Sequence, residues 1–600
     1  MENNRGRCPH YQLIVLLVAA LIYIGCIISP PALMDDVDAV QAQIARNMLE
    51  SGDWVTARLN GIAYLEKSPM VYWLMAISMK IFGVYDWAAR IPLALSVVLL
   101  CWLCARFAAW AFDELAGLYA GLILASCIGL WLFTRIQIPD AMVTATITLA
   151  MWSLLRALDE SESRPWLWSG LLAASIGLGL LLKGLIAVLF PIAGGVIYLF
   201  STKQFFVKRT WQRLRPFTGL LIILLIAAPW HILATFANPP YFDFTMKSEP
   251  GKYHGFFWFY FFNEHVFRFL NMRHPRDYNT VPRHLFWLFH LLWLFPWSAY
   301  FPAAIRQSVV GTSRAALTRR LALCWAGFLM LFFTFSTTQE YYSMPAYPAI
   351  ALWLASALAK EETREETQQD KWLDWGSRAI AVVTTLASAA IVFLIFSVWS
   401  LPTPGDISRA LTQNPDAYTL SLGHMGDLTI ASFAYLRTPL IVASIATILG
   451  TVCALRFRGN RLVLGLTAMM VLFFHAARLA LTVFDPYMGS RPIAEALNRA
   501  PQGSLIVGAQ YYTFSSVFFY TNRKALILNG RVNNLEYGSY APNAPGVFIG
   551  DEEFKNLWLS PQRFYLTLEG PELSKIENLV GKQSLHTVLE SGGKYLFTNE

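Results

Sequence analysis

About thirteen runs of roughly twenty apolar residues, nearly free of charge, recur along the chain, each long enough at 1.5 Å per residue to cross a bilayer core. They begin near residues 12, 87, 113, 141, 164, 185, 216, 284, 321, 343, 377, 437 and 461. Inside lipid every backbone N–H and C=O must be satisfied within the segment, so such runs can only be helices. The expected fold is therefore a multi-span α-helical membrane protein. Only 14% of the residues are charged, against about 25% in a soluble domain. The first run, "QLIVLLVAALIYIGCIISPP", is too long for a signal-peptide core, and "SPPALMDD" matches a cleavage site poorly. It is expected to be a retained anchor. The segment 70–83 is shorter and carries Lys80, so it should lie in the interface or re-enter.

Loop charge gives an orientation. Residues 201–217, 306–320 and "RFRGNR" at 456–461 are short and basic, and Arg5 and Arg7 precede the first span. By the positive-inside rule they mark the cytoplasmic side. The opposite face then receives residues 31–86, 134–141, 237–283, 337–342, 401–436 and the chain after about 485. The two expected domains are residues 1–484, the membrane domain with an amphipathic outer loop at 31–86, and residues 485–600. In the latter, "GSLIVGAQYYTFSSVFFYTNRKALILNG" alternates short β-branched and aromatic runs with turn residues, while "PIAEALNRA" and "DEEFKNLWL" have helical spacing. That pattern predicts a small soluble α/β domain.

Several function classes drop out. The net charge of +8 resides in short loops, with no basic groove for nucleic acid. The Cys101–Cys104 pair sits inside an apolar run without a second pair, so neither a zinc site nor a redox motif is expected. No glycine-rich phosphate loop opens a helix in a cytoplasmic segment.

Ionisable residues instead collect in the outer loops. "MDDVDAVQAQIARNM" places Asp35, Asp36 and Asp38 directly after the first span, with Val40, Ile44 and Met48 at helical spacing and Gly52 closing the run. This predicts an amphipathic helix lying on the membrane and starting at Asp36 or Asp38, either of which could serve as its N-cap. "LNGIAYLEKSPMVYW" sets Tyr64, Glu66 and Lys67 at the lip of the membrane; "RIQIPDAMV" opens the fourth span with Asp140. "FFNEHVFRFLNMRHPRDYNTVPRH" carries Glu264, His265, Arg268, Arg273, His274 and Arg276, and "TTQEYYSMPAYPAI" places Tyr341, Tyr342 and Tyr347 at a helix mouth. Capping, solvated ion pairs and an aromatic belt explain each stretch singly. They do not explain five loops placing ionisable groups at one lipid–water boundary. Cations beside carboxylates at that depth suit a substrate whose phosphate is held in the membrane by its own lipid tail.

The first loop, the following "FGVYDWAARIPLAL", the "EH..RF" stretch and "YYSMPAYPA" resemble the bacterial membrane glycosyltransferases of the GT-C fold. The resemblance is to the aminoarabinose transferases of lipid A and their dolichyl-phosphate-mannose mannosyltransferase-like relatives, and it covers most of the chain. It implies an enzyme that moves a sugar from a polyprenyl-phosphate donor, of the undecaprenyl-phosphate-aminoarabinose or polyprenyl-phosphate-mannose kind. The acceptor would be lipid A, another glycan or a protein, at the outer face of the bacterial inner membrane. It implies Asp36 as catalytic carboxylate with Asp38 as the neighbouring alternative, Asp140 as a second acid facing the acceptor, and Lys67, Arg268, Tyr342 and Tyr64 around the donor phosphate. Glu66 and His265 are implied as ligands of a divalent metal, zinc by the chemistry of the donors, and the protein is expected to be a monomer. Two positions depart from the family: the tyrosine after its first-loop acids has no counterpart, and Gln339–Glu340 replace a basic residue before the tyrosine motif. The competing class is a transporter or flippase, which would use an ionisable residue within the spans; Lys183 in "LGLLLKGLIAV" is the one candidate.

Overall fold

The computed structural model describes residues 8–28, 30–275, 281–336, 339–362, 370–412 and 421–600. Each expected apolar run is occupied by helix. Among the described residues nine helices are long and apolar enough to cross a membrane, from Tyr11–Ile28 to Gly459–Met488. A tenth span is broken: Arg283–Trp293 and Trp297–Ile305 meet at 96°. Glu114–Ala125, Ile186–Ser201 and Tyr347–Glu362 are shorter. Met70–Phe82, with Lys80, has only 13 residues and is too short to cross a hydrocarbon core of about 30 Å.

The first-loop helix is Val37–Ser51, begun at Asp36 and ended by Gly52 at φ 74°. Its predicted apolar face is buried, but so are Asp38, Gln41 and Gln43. The expected helix resting on lipid is thus covered by protein: Met70–Phe82 packs on one side and Ser515–Thr521 of the C-terminal domain on another. Asn60 and Gly61 then take φ 50° and 85°, the backbone of a tight hairpin turn, and pair Arg58–Leu59 with Ile62–Ala63. This hairpin returns the chain to the membrane mouth and delivers Tyr64, Glu66 and Lys67 there.

The last span runs to Met488, and the sheet-bearing region starts with helix Arg491–Arg499. Its six strands lie in the order Phe548–Ile549, Ala525–Leu528, Ser504–Gly508, Phe564–Glu569, Lys594–Thr598 and His586–Ser591. The first four are parallel, and Lys594–Thr598 pairs antiparallel with both of its neighbours, Phe564–Glu569 and His586–Ser591. Parallel neighbours require crossovers, and the connections carry the helices that pack on the sheet. The domain is fastened to the first loop. Asn60 bonds both ways to Ala525, at 2.8 and 3.1 Å, and Arg46 donates to the Phe519 carbonyl at 2.6 Å.

Candidate active site

One cavity of about 960 Å³ lies between the mouths of the helices and the C-terminal domain. Its walls come from the first loop, from 136–143 and 260–269, from Lys183 and Ile186, from 332–336 and 339–345, from Ser421 and His424, and from four segments after 487.

The three first-loop aspartates have three different fates. Asp36 is exposed, lines the cavity, and has φ 66° and ψ −131°. Its backbone begins the helix, but its side chain accepts no hydrogen bond from the first-turn amides. Such a backbone conformation costs a non-glycine residue about 1–3 kcal/mol. It is held by Asp36 N donating to the Tyr512 carbonyl (2.8 Å) and by the Asp36 carbonyl accepting from Val40 N (3.1 Å) and Ser515 Oγ (3.2 Å). Asp35 ties down the C-terminal domain: its carboxylate takes Lys594 Nζ at 2.6 Å, Ser490 Oγ at 2.5 Å and Ser516 N at 2.8 Å. Asp38 corrects the sequence reading. It is 1% exposed and does not line the cavity. Its oxygens receive Arg90 NH2 at 2.7 Å, Met34 N at 3.1 Å and Gln137 N at 3.2 Å. A carboxylate so enclosed ties the first loop to Arg90 and stands behind the cavity lining.

Glu66 is buried at the centre of a polar network. One oxygen faces Lys67 Nζ and, at 3.4 Å, Arg268 NH1; the other accepts from the Tyr64 hydroxyl at 2.7 Å and from Asn534 Nδ2. Arg268 also bonds Glu264 at 2.8 Å and donates to the Tyr342 hydroxyl at 3.1 Å. Arg273 reaches Glu264 and, at 2.5 Å, Asn534 Oδ1. Burial alone would push the Glu66 carboxyl up, but the charges of Lys67, Arg273 and Arg268 outweigh it and hold the group far below the usual carboxylate range. Lys67 and Arg268 therefore stand as preset cations on the cavity wall, oriented by an anion behind them. The Tyr64 hydroxyl corrects the expected phosphate contact: its proton is directed at Glu66, so it steadies the network instead. Glu264 and His265 sit on a π-helix, Trp258–Phe267, a widened turn frequent at functional sites.

Asp140, 3% exposed, opens the helix Asp140–Leu158, and one of its oxygens pairs with Lys183 Nζ. Its other oxygen, Oδ2, is buried and has no hydrogen-bond partner among the described residues. Lys183 also lies over the rings of Tyr341, at 5.3 Å, and Tyr342, at 5.0 Å. It thus belongs to the cavity wall, and the residue that suggested a transport path is engaged there. Tyr347, expected at the mouth, is fully buried against Gly129 and does not line the cavity. Arg276 lies outside the described residues.

The geometry does not fit the expected zinc pair. Leu185 N donates to His265 Nε2 at 3.1 Å, so Nδ1 carries the proton and bonds the Tyr260 carbonyl at 2.5 Å. Burial depresses the imidazole pKa, which keeps the ring neutral. Both nitrogens are engaged, and both Glu66 oxygens face protein donors. Gly184 explains the fit around the ring: at φ +76°, an added Cβ would collide with His265 Nε2. Among the described residues no group of three His, Cys, Asp or Glu side chains could hold a metal ion.

Sequence reasoning missed Lys183 as a site residue, although a lysine closing an apolar run just before a glycine was a usable signal. It missed Lys594 and Asn534 altogether. Nothing in "GRVNNLEYG" marks Asn534, because its partners are hundreds of residues away.

Residues 66–233 match the family model of the dolichyl-phosphate-mannose-protein mannosyltransferases. The undecaprenyl phosphate-alpha-4-amino-4-deoxy-L-arabinose arabinosyl transferase of Erwinia tasmaniensis is 25% identical over 92% of this chain and 91% of that protein. The enzyme of the same name from Aeromonas salmonicida is 29% identical over 60% of this chain and 66%, just under two thirds, of its own length. The crystal structure of ArnT from Cupriavidus metallidurans bound to undecaprenyl phosphate superposes with a TM-score of 0.78 at 19% identity, covering 99% of both chains.

Proposed function

We propose, for a chain that is a membrane glycosyltransferase of the GT-C fold and of the aminoarabinose-transferase family, that the cavity transfers a sugar from an undecaprenyl-phosphate-linked donor to an acceptor oxygen presented at the membrane surface. The observation that carries this reading is the pairing of Lys67 and Arg268, two cations oriented by the buried Glu66, with an exposed Asp36 carboxylate in the same cavity. A nucleotide-sugar enzyme must neutralise a diphosphate. Here two cations and the Tyr342 hydroxyl suit a single phosphate whose lipid tail stays in the bilayer.

In this reading the acceptor oxygen forms a bond to the anomeric carbon while the carbon–oxygen bond to the lipid phosphate breaks. The electron pair leaves onto the phosphate. Lys67 and Arg268 neutralise the charge that develops there, which is worth about 2–4 kcal/mol per donor in a water-poor site. Asp36 takes the proton of the acceptor oxygen or orients that oxygen. Asp140, with one oxygen on Lys183, stands on the same wall and suits the acceptor side.

An amino sugar as cargo is supported by the names of the relatives and by the carboxylates of the wall, Asp35, Asp36, Glu66, Asp140, Glu264 and Glu569, which outnumber its cations Lys67, Lys183, Arg268 and Lys594. Lipid A or another envelope glycan as acceptor, the inner membrane as location, a periplasmic site and a monomeric state complete the proposal. Envelope lipids from cells with and without this chain, analysed by mass spectrometry, test it. A species heavier by one aminopentose residue that depends on the chain and vanishes with Asp36→Asn is the expected result. Identical lipid profiles would defeat the reading.

A further inference from the structure

We infer that Asn534 of the C-terminal domain is a positioning residue for the phosphate-binding cations, so that the appended domain completes the active site. The inference rests on the donor-phosphate reading of Lys67 and Arg268.

Asn534 is 4% exposed and sits between two ion pairs that come from different loops of the membrane domain. Its Nδ2 donates to Glu66, whose other oxygen holds Lys67 and Arg268; its Oδ1 accepts from Arg273 NH2 at 2.5 Å, and Arg273 holds Glu264, the second partner of Arg268. The contacts close a ring: Glu66, Asn534, Arg273, Glu264, Arg268 and back to Glu66. Only a side chain with a donor at one end and an acceptor at the other can join a carboxylate to a guanidinium in this way. An aspartate there would place a second anion against Glu66. An alanine would leave buried donors and acceptors unsatisfied, which costs more than the bond is worth.

The position of Asn534 is itself fixed by docking. The helix Asn533–Ser539 presses on the first-loop hairpin so closely that a Cβ on Gly538 would collide with the Ala63 carbonyl. Tyr537 on the same helix donates to the Gly255 carbonyl at 3.1 Å and accepts from His254 N at 2.9 Å. One short helix therefore touches the loop that carries Glu66 and Lys67 and the segment that leads to Glu264 and Arg268. It fixes the separation of the two cations, which neither loop sets by itself.

The test uses purified full-length protein in detergent, with undecaprenyl phosphate as the binding probe and transfer kinetics alongside. Asn534→Asp should weaken undecaprenyl phosphate binding by about tenfold or more, within the range of coupling between residues of one network. Glu66→Gln should do so as well. The pair Asn534→Asp/Glu66→Gln reverses the polarity of the bond, with the glutamine amide donating to the new carboxylate, and should recover most of the affinity. Asp38→Asn, which breaks the buried pair with Arg90 away from the cavity lining, is the stability control: it should lower thermal stability and leave probe affinity nearly unchanged. An Asn534→Asp variant that binds like the parent, or a pair no better than its weaker single change, overturns the inference. If Lys67→Ala and Arg268→Ala also bind the probe normally, the donor-phosphate reading falls with it, whereas a loss in those two alone faults only Asn534. Should Asn534→Asp not fold, Asn534→Ser in the same binding assay decides: a loss of affinity supports the inference and parent-like binding overturns it.

Discussion

Lys183 pairs with Asp140 across 43 residues of sequence, a lysine at the end of one membrane helix closing on a carboxylate in the first turn of another. The second Asp140 oxygen is buried behind the cavity wall, without a hydrogen-bond partner among the described residues. Breaking one member of such a pair leaves a poorly compensated charge, which typically costs about 3–5 kcal/mol when the pair is buried. Lys183 is only partly buried, so Lys183→Ala should fall at the low end of that range in stability. It should also cut turnover, because Asp140 loses its orientation. Lys183→Arg should restore stability more than turnover. Equal activity in all three proteins would remove this pair from the site.

The first-loop aspartates separate capping from catalysis. Asp36→Asn keeps the local shape and removes the charge, so turnover should fall about 100-fold or more with little change in melting temperature. Asp38→Asn and Asp35→Asn should behave in the opposite way. Each breaks a buried ion pair, with Arg90 or Lys594, and should cost several degrees of melting temperature while the folded fraction stays active. Differential scanning fluorimetry together with single-turnover transfer resolves the three.

For the leaving phosphate, Lys67→Ala and Arg268→Ala should each lose about 2–4 kcal/mol of transition-state stabilisation. Arg268→Ala should be the worse of the two for stability, since it also strips Glu264 and Tyr342 of a partner. Parent-like kcat/KM in both purified variants would assign the phosphate to another wall.

His265 gives a pH signature with a definite sign. Its folded-state pKa is depressed by burial, so the unfolded chain binds the proton more readily. Its contribution is present above the ordinary histidine value of about 6.5 and declines as pH falls below it. Melting temperature measured down through that window should drop more steeply for the parent than for His265→Gln. Chelators at neutral pH should leave the transfer rate unchanged. A rate that zinc restores would mean that Leu185 N releases Nε2 in the working enzyme.

Orientation can be read by labelling. Arg209→Cys, in a basic loop, and Lys582→Cys, on the C-terminal domain, are both well exposed. They should react with an impermeant thiol reagent from opposite faces of the membrane. Labelling from one face would require an even number of spans between them and would overturn the loop-charge topology.

The sequence by itself determined the solvent, the helices and the neighbourhood of the chemistry. Apolar runs of bilayer length leave no alternative to spanning helices, and charges stranded at one boundary point to a site there, because each such signal is local in the chain. Lys67, Asp140, Arg268 and Tyr342, which the fold brings to one cavity, were legible for that reason. Which aspartate stays exposed at the cavity was not, since Asp35, Asp36 and Asp38 are equivalent in composition and differ only in what lies opposite them. Tertiary packing decided it by setting Lys594 against the first and Arg90 against the last. The same holds for Asn534 and for the zinc pair. A hydrogen bond or a metal site depends on where lone pairs and protons point after folding, and partners separated by hundreds of residues leave no trace in local spacing. The C-terminal domain, legible only as a small α/β unit, meets the cavity through segments far apart in the sequence, and its helix Asn533–Ser539 reaches Glu66 and Arg273.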